Sequence, residues 1–213
     1  MELNICHLYP DILNLYGDRG NVTCLQKRLE WRGIDCNVEG VSIGDKLEAS
    51  KYDLFFIGGG QDFEQGVLLQ DLSGEKTAEI KAAIEDEKVF LAICGGYQIL
   101  GSYYKTWDGQ QCDFLGALDL YTVGQKDRMI GNYMYECDDL GGQTVVGFEN
   151  HSGQTFLGDG VKPIGKVLSG YGNNGKDGYE GARYKNVYAT YSHGCLLPKN
   201  PAIADMLIRW ALE

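Results

Sequence analysis

Apolar and polar positions along this chain follow two regimes. Over roughly the first hundred residues, short runs of β-branched and aromatic residues alternate with stretches carrying an apolar side chain every third or fourth position. The runs at 4–9, 36–43, 53–57 and 89–93 predict strands. Between them, 21–32 sets Val22, Leu25 and Leu29 on one helical face and ends at Gly33, a suitable C-cap. Residues 75–87 do the same with Ile80, Ala83 and Ile84 on an otherwise polar helix. Strands alternating with helices predict parallel pairing through crossover connections. After Gly116 the pattern changes. Short alternating runs at 117–121, 128–135, 144–148 and 163–167, separated by Gly and Asp, predict antiparallel ribbons. Residues 170–181 are glycine-rich and predict a loop with no core. A strand at 187–191 and an amphipathic helix at 201–212, with Ile203, Met206, Leu207 and Trp210 on one face, complete the pattern. There is no repeat, linker or low-complexity stretch, so the expectation is one α/β domain over residues 1–213.

Composition narrows the partners more than the fold. Hydrophobic residues make up 44% of the chain, enough for a sizeable core. A net charge of −11 argues against nucleic acid or an anionic membrane as a direct partner. No stretch approaches the ~20 apolar residues of a membrane span, and no basic-plus-apolar leader opens the chain. The seven cysteines (Cys6, Cys24, Cys36, Cys94, Cys112, Cys137 and Cys195) are odd in number and contain no C-x-x-C pair. That predicts a reducing cytoplasm, with neither a disulfide frame nor a metal site.

One cysteine stands apart. The apolar run 89–93 stops abruptly at Cys94-Gly95-Gly96, and a helix-compatible segment, Tyr97-Gln98-Ile99-Leu100, follows. A strand, a tight turn and a helix would lift the Cys94 side chain clear of the sheet. The helix N-terminus would aim N–H groups at the sulfur and favour thiolate. The competing reading is a small buried hydrophobe, but the flanking glycines leave backbone N–H groups accessible to an oxyanion. A second strand, 53–57, ends in Gly58-Gly59-Gly60. It lacks the Lys-Ser/Thr of a phosphate loop and is not a G-x-G-x-x-G fingerprint. What remains is a loop offering N–H donors beside a neighbouring nucleophile. A third strand leads into Ser192-His193-Gly194. A lone histidine is commonly structural, but a cysteine nucleophile needs a base, and His193 lies beyond a strand end, where open α/β sheets place their sites. Arg128 is a candidate fork for a substrate carboxylate, or a solvated charge beside Lys126 and Asp127.

Together, Gly58-Gly59-Gly60, Cys94-Gly95-Gly96-Tyr97-Gln98 and Ser192-His193-Gly194 resemble class I, triad-type glutamine amidotransferases. Gly147-Phe148-Glu149-Asn150-His151-Ser152-Gly153 is similar to a motif of the cobyric-acid-synthase-like branch. Leu8-Tyr9-Pro10-Asp11, Tyr16 to Asn21, Gly58 to Gln65 and His193 to Pro201 resemble the GatD-type glutaminase subunits of lipid II isoglutaminyl synthases. The resemblance covers nearly the whole chain. It implies a flavodoxin-like, mostly parallel sheet flanked by helices, with antiparallel additions in the C-terminal half.

The resemblance also implies a chemistry. Cys94 would attack the side-chain amide of L-glutamine, Gly60 and Gly95 would hold the oxyanion, and His193 would shuttle the proton. Gln98 matches the family's Cys-x-Gly-x-Gln, which is linked to glutamine recognition. Many relatives carry an acid two residues after the histidine; here that position is Cys195. Two sources stand open for the acid: elsewhere in this chain, as at Glu149, or on a partner. Glu149 and His151 read equally as structural. Ammonia must be captured to be useful, and the chain has no nucleotide motif, so a separate ATP-dependent synthetase is expected; the resemblance implies that it is Mur-ligase-like and uses ATP and Mg. That subunit would bring the chain to lipid II at the inner membrane face. A glutaminase serving cobalamin or another cofactor, a related cysteine peptidase or deglycase, and a non-catalytic binding module are the alternatives.

Overall fold

The computed structural model describes residues 1–60 and 62–213, apart from the side chains of residues 61–66. The GatD-like stretch from Gly58 to Gln65 therefore lies partly outside the described residues.

The first half builds one sheet. Strand β1 (Glu2–Leu8) leads through helix α1 (Arg19–Glu30) to β2 (Asp35–Val41), then β3 (Leu54–Ile57), helices α2 (Asp62–Asp71) and α3 (Glu75–Glu85), and β4 (Val89–Ile93). A five-residue helix, α4 (Gly95–Ile99), follows at once. Two short strands, β5 (Tyr103–Lys105) and β6 (Gln111–Asp113), lead into a long hairpin of β7 (Leu120–Cys137) and β8 (Gln143–Leu157). The chain continues through β9 (Gly165–Ser169), β10 (Tyr179–Glu180), β11 (Ala182–Tyr184) and β12 (Val187–Thr190) to helices α5 (Leu196–Lys199) and α6 (Pro201–Leu212).

Six strands form the first sheet in the order β11-β12-β4-β3-β1-β2. All its pairings are parallel except β11 with β12. β3 and β4 are buried along their whole length, as expected of strands covered on both faces. Phe55 and Phe90, partners in register, stack at 4.5 Å and 6°. Helices α1 and α6 are joined by Arg28, whose Nε and Nη2 each donate to Asp205 at 2.7 Å. The second sheet runs β10-β9-β7-β5-β6, with β8 on β7. Among the described residues, no helix is long and apolar enough to cross a membrane.

Two expectations are corrected. The separate short ribbons after Gly116 are largely one hairpin of 18- and 15-residue strands. The glycine-rich segment 170–181 is not coreless: Asn173, Asn174 and Glu180 are buried within it. Its core is polar. Asn173 Nδ2 donates to Gly181 O at 2.9 Å and Asn174 Nδ2 to Thr155 O at 3.1 Å. A pattern search keyed to apolar positions does not see such packing.

The sheets meet beside the end of β12. His193 pairs antiparallel with Phe148 of β8, its N–H donating to Phe148 O at 2.7 Å. Gly147 makes this approach possible, because a Cβ there would lie 1.9 Å from Ser192 Oγ.

Candidate active site

The carboxyl ends of β1, β3, β4 and β12 converge on one cavity of about 410 Å³, lined by Cys94, His193, Gln98, Gly60, Arg128 and Tyr16 among others. This is where an open parallel sheet exposes its strand ends and turns.

Cys94 sits at the predicted corner between β4 and α4. Its backbone is left-handed, with φ +49° and ψ −103°, a region a non-glycine residue occupies only when its surroundings enforce it. Two hydrogen bonds do so: Cys94 N–H donates to Thr190 O at 2.8 Å, and Gln98 N–H donates to Cys94 O at 3.0 Å. Gly96 allows α4 to start against β3, since a Cβ there would be 2.6 Å from Ile57 Cγ2 and 2.7 Å from Ile57 O. Gly95, buried, is the first residue of α4, and Gly60, on the loop after β3, lines the cavity.

His193 is fully buried, its ring between the Gly59 loop and Tyr16, which meets it edge-on at 4.9 Å. Its Nδ1 lies 3.4 Å from Asp18 Oδ1. Among the described residues its Nε2 is buried without a nitrogen or oxygen partner, and it interacts with the Cys94 sulfur. Burial opposes charge on this ring, but Cys94 and Asp18 outweigh it and raise the imidazole well above its ordinary basicity.

Asp18 is the acid that the sequence reading missed. The sequence points to Glu149 or a partner for it; the chain itself places Asp18 at the ring, fully buried, after β1. Its Oδ2 accepts the Gly59 N–H at 2.7 Å. That N–H is thereby committed, and Gly60 offers the next one along the loop. A Cβ on Gly59 would strike His193 Cε1 at 2.6 Å and crowd Asp18 Oδ2 at 3.2 Å, so only glycine fits between the two. Cys195, at the position where many relatives carry the acid, turns its thiol to Gly17 O at 3.0 Å and braces the loop that carries Asp18. The signal was present in Tyr16 to Asn21, but only the strand order brings it to His193.

Glu149 has a different part. Its carboxylate accepts the N–H groups of Tyr171 (2.7 Å) and Gly172 (3.0 Å), and its Oε2 lies 3.3 Å from His151 Nε2. His151 Nδ1 donates to Gly153 O at 2.8 Å. With both ring nitrogens engaged, His151 lines the cavity without a nitrogen to offer the sulfur. His7, the remaining histidine, is buried in β1, and burial pushes its basicity down to about 4.

Gln98 lies one helical turn beyond Cys94, as expected, and its Nε2 donates to Tyr191 Oη at 3.0 Å. Arg128 reaches the cavity mouth from a break in register between Gly124 and Met129, an irregularity of the kind that re-aims side chains. There it donates from Nε to Asn150 Oδ1 at 2.8 Å and from Nη2 to Asn150 O at 3.2 Å.

Taken together, the arrangement is suited to acyl transfer: a strained sulfur at a helix start, a buried imidazole with a carboxylate behind it, and loop N–H groups opposite.

Comparison with known proteins agrees with this geometry. The CobB/CobQ-like glutamine amidotransferase domain matches residues 4–201. The chain is 46% identical to the GatD subunit of lipid II isoglutaminyl synthase (glutamine-hydrolyzing) from Staphylococcus aureus, over all of this chain and 85% of that one. It is 43% identical to the subunit of the same name from Streptococcus pneumoniae, over all of this chain and 81% of that one. In fold, it superposes on PurLQS from Thermotoga maritima with a TM-score of 0.69 at 16% identity, covering all of this chain and 98% of the other.

Proposed function

The chain belongs to the CobB/CobQ-like glutamine amidotransferase family, and from that premise we propose that it is the glutamine-hydrolysing subunit of a lipid II isoglutaminyl synthase. The observation that carries the reading is the gathering of Gly60, Cys94 with Gln98, and His193 around one cavity from three separate segments.

Cys94 thiolate attacks Cδ of the glutamine side chain, and the carbonyl oxygen takes the negative charge against the Gly60 and Gly95 N–H groups. As the intermediate collapses, the C–N bond breaks and the nitrogen takes the proton held by His193, leaving as ammonia. A γ-glutamyl thioester remains on Cys94. Water then gives its proton to His193, attacks the thioester and releases glutamate, and the sulfur recovers its charge. Asp18 holds the ring in the tautomer that keeps Nε2 towards the sulfur. Gln98 and Arg128, at the cavity wall, meet the amino-acid end of the substrate.

The ammonia goes to a partner subunit. We assign that partner as a Mur-ligase-like synthetase that uses ATP and Mg to activate the α-carboxyl of D-glutamate in the lipid II stem peptide, giving D-isoglutamine. The pair works at the cytoplasmic membrane face, the synthetase making the contact with the lipid-linked acceptor.

Cys94→Ser is expected to fold like the parent and to lose glutamine hydrolysis, and an electrophilic glutamine analogue should label Cys94 alone among the seven cysteines. Retained hydrolysis in the variant, with labelling at another cysteine, would overturn the assignment. Ammonia-dependent amidation of lipid II by the complex should survive the substitution. If no lipid II amidation is seen with either ammonia or glutamine, the acceptor has been misassigned.

A further inference from the structure

We propose that Tyr191 is a positioning residue for substrate: it fixes the side-chain amide of Gln98, and through Thr155 and Thr122 sets the orientation that this amide presents to the amino-acid end of glutamine. The inference rests on the reading of Gln98 as substrate-facing, and extends it to residues that do not need to touch substrate.

The geometry is a buried hydrogen-bond chain that ends at the cavity. Thr122 Oγ1 and Thr155 Oγ1 are 2.8 Å apart, Thr155 Oγ1 and Tyr191 Oη 2.6 Å, and Gln98 Nε2 donates to Tyr191 Oη at 3.0 Å. Thr122, Thr155 and Tyr191 are fully buried, while Gln98 lines the cavity with Cys94. Each hydroxyl has one proton to give. When Tyr191 accepts from Gln98, its own proton goes to Thr155, and the Thr155 proton goes on to Thr122. Turning the Gln98 amide over would place its oxygen against Tyr191 and require the hydroxyls behind it to reverse together. One orientation of the Gln98 amide is thus tied to a cooperative network. Burial holds the Tyr191 phenol far above its ordinary pKa, so its proton stays in the chain.

The tyrosine is itself held. The His151 ring stacks flat on it at 3.6 Å and 7°, and Tyr97 meets it edge-on at 5.2 Å. His151 is in turn fixed by Gly153 O and Glu149. Gly153 leaves room for the Gln98 contact: a Cβ there would lie 2.6 Å from Gln98 Nε2 and 2.6 Å from Thr122 Cγ2. The stretch from Glu149 to Gly153, which the hydrolysis steps do not use, thereby becomes the frame that holds Tyr191 and admits Gln98.

The test is inactivation of the full chain by a diazoketone analogue of L-glutamine, which yields a saturation constant KI and a limiting rate kinact, with iodoacetamide as a reagent that needs no amino-acid recognition. Tyr191→Phe is expected to raise KI roughly tenfold, the loss of about one hydrogen bond's worth of binding, with kinact and the iodoacetamide rate within about twofold. Thr155→Val should act in the same direction, and Thr155→Ser, which keeps the hydroxyl, should leave KI near the parent value; this pair tests the chain even if Tyr191→Phe impairs folding. In a Gln98→Ala background, Tyr191→Phe should add nothing. If Gln98→Ala raises KI and Tyr191→Phe does not, or if their effects simply add, the positioning role is overturned while the reading of Gln98 stands. If Gln98→Ala leaves KI unchanged, that reading fails, and the positioning role with it.

Discussion

Asp18 is gripped at one oxygen and used at the other. Oδ2 accepts Gly59 N–H at 2.7 Å, which fixes the carboxylate and leaves Oδ1 facing His193 Nδ1 at 3.4 Å. Asp18→Asn would keep the shape of this contact. Its amide could turn a donor towards Nδ1, favouring the tautomer with the proton on the wrong nitrogen. In a serine protease triad that exchange costs roughly 10⁴-fold. The longer separation here makes a loss of about 10²- to 10⁴-fold the expected result, measured as glutamine hydrolysis at neutral pH. The measurement belongs both on the chain alone and on its complex with the synthetase. A loss in both places the working acid in this chain. A loss in the isolated chain that the synthetase repairs would show that a partner carboxylate takes over the ring.

At the scale of elements, the decisive unit is β4, the Cys94 corner and α4. A cysteine at φ +49° carries backbone strain of the order of 1–3 kcal/mol, held in place by Thr190 O and by the start of α4. Glycine has no such cost at positive φ, although it gains freedom in the unfolded chain. Cys94→Gly is therefore expected to abolish activity yet stabilise the fold by about 1 kcal/mol. Gly96→Ala should destabilise it by about 1–3 kcal/mol, because the added methyl meets Ile57 within 2.6 Å. Thermal unfolding of the two variants tests this; a lower melting temperature for Cys94→Gly would show that the corner is relaxed. This unit was legible in the sequence because everything that makes it is local: an apolar run, a cysteine and two glycines. The same holds for β3 with Gly58-Gly59-Gly60 and for α6. Asp18 was not legible, since it reaches His193 across 175 positions through a strand order that no local pattern encodes. Segment 170–181 was misread for another reason. Its buried side chains are Asn173, Asn174 and Glu180, and hydrogen bonding holds them in place of apolar contact.

For the molecule as a whole, Glu180 is the point where pH reaches the junction of the two sheets. It belongs to β10 of the second sheet, yet its Oε1 accepts Thr190 Oγ1 at 2.7 Å and Tyr191 N–H at 2.8 Å, at the end of β12 in the first. Its Oε2 is buried with no hydrogen-bond partner of ordinary geometry among the described residues. Burial, aided by the charge of Glu149, raises this carboxyl to about 7, against the donors that pull it down. In the unfolded chain the same group titrates near 4.5. The raised value means that the folded state favours the neutral form. The stability this contributes is complete below about 4.5, falls as the unfolded chain ionises first, and is gone once pH has risen through about 7. A difference of that size corresponds to about 3 kcal/mol. Glu180→Gln keeps an acceptor for Thr190 and Tyr191 and cannot ionise. It is expected to change stability little near pH 5, to gain on the parent as pH rises, and to exceed it by up to about 3 kcal/mol at pH 8. Denaturant unfolding of both proteins at a series of pH values measures the difference. Parallel curves, with the gap between variant and parent constant from pH 5 to pH 8, would mean that Glu180 is already ionised in the folded protein, and that the junction of the sheets holds a buried charge.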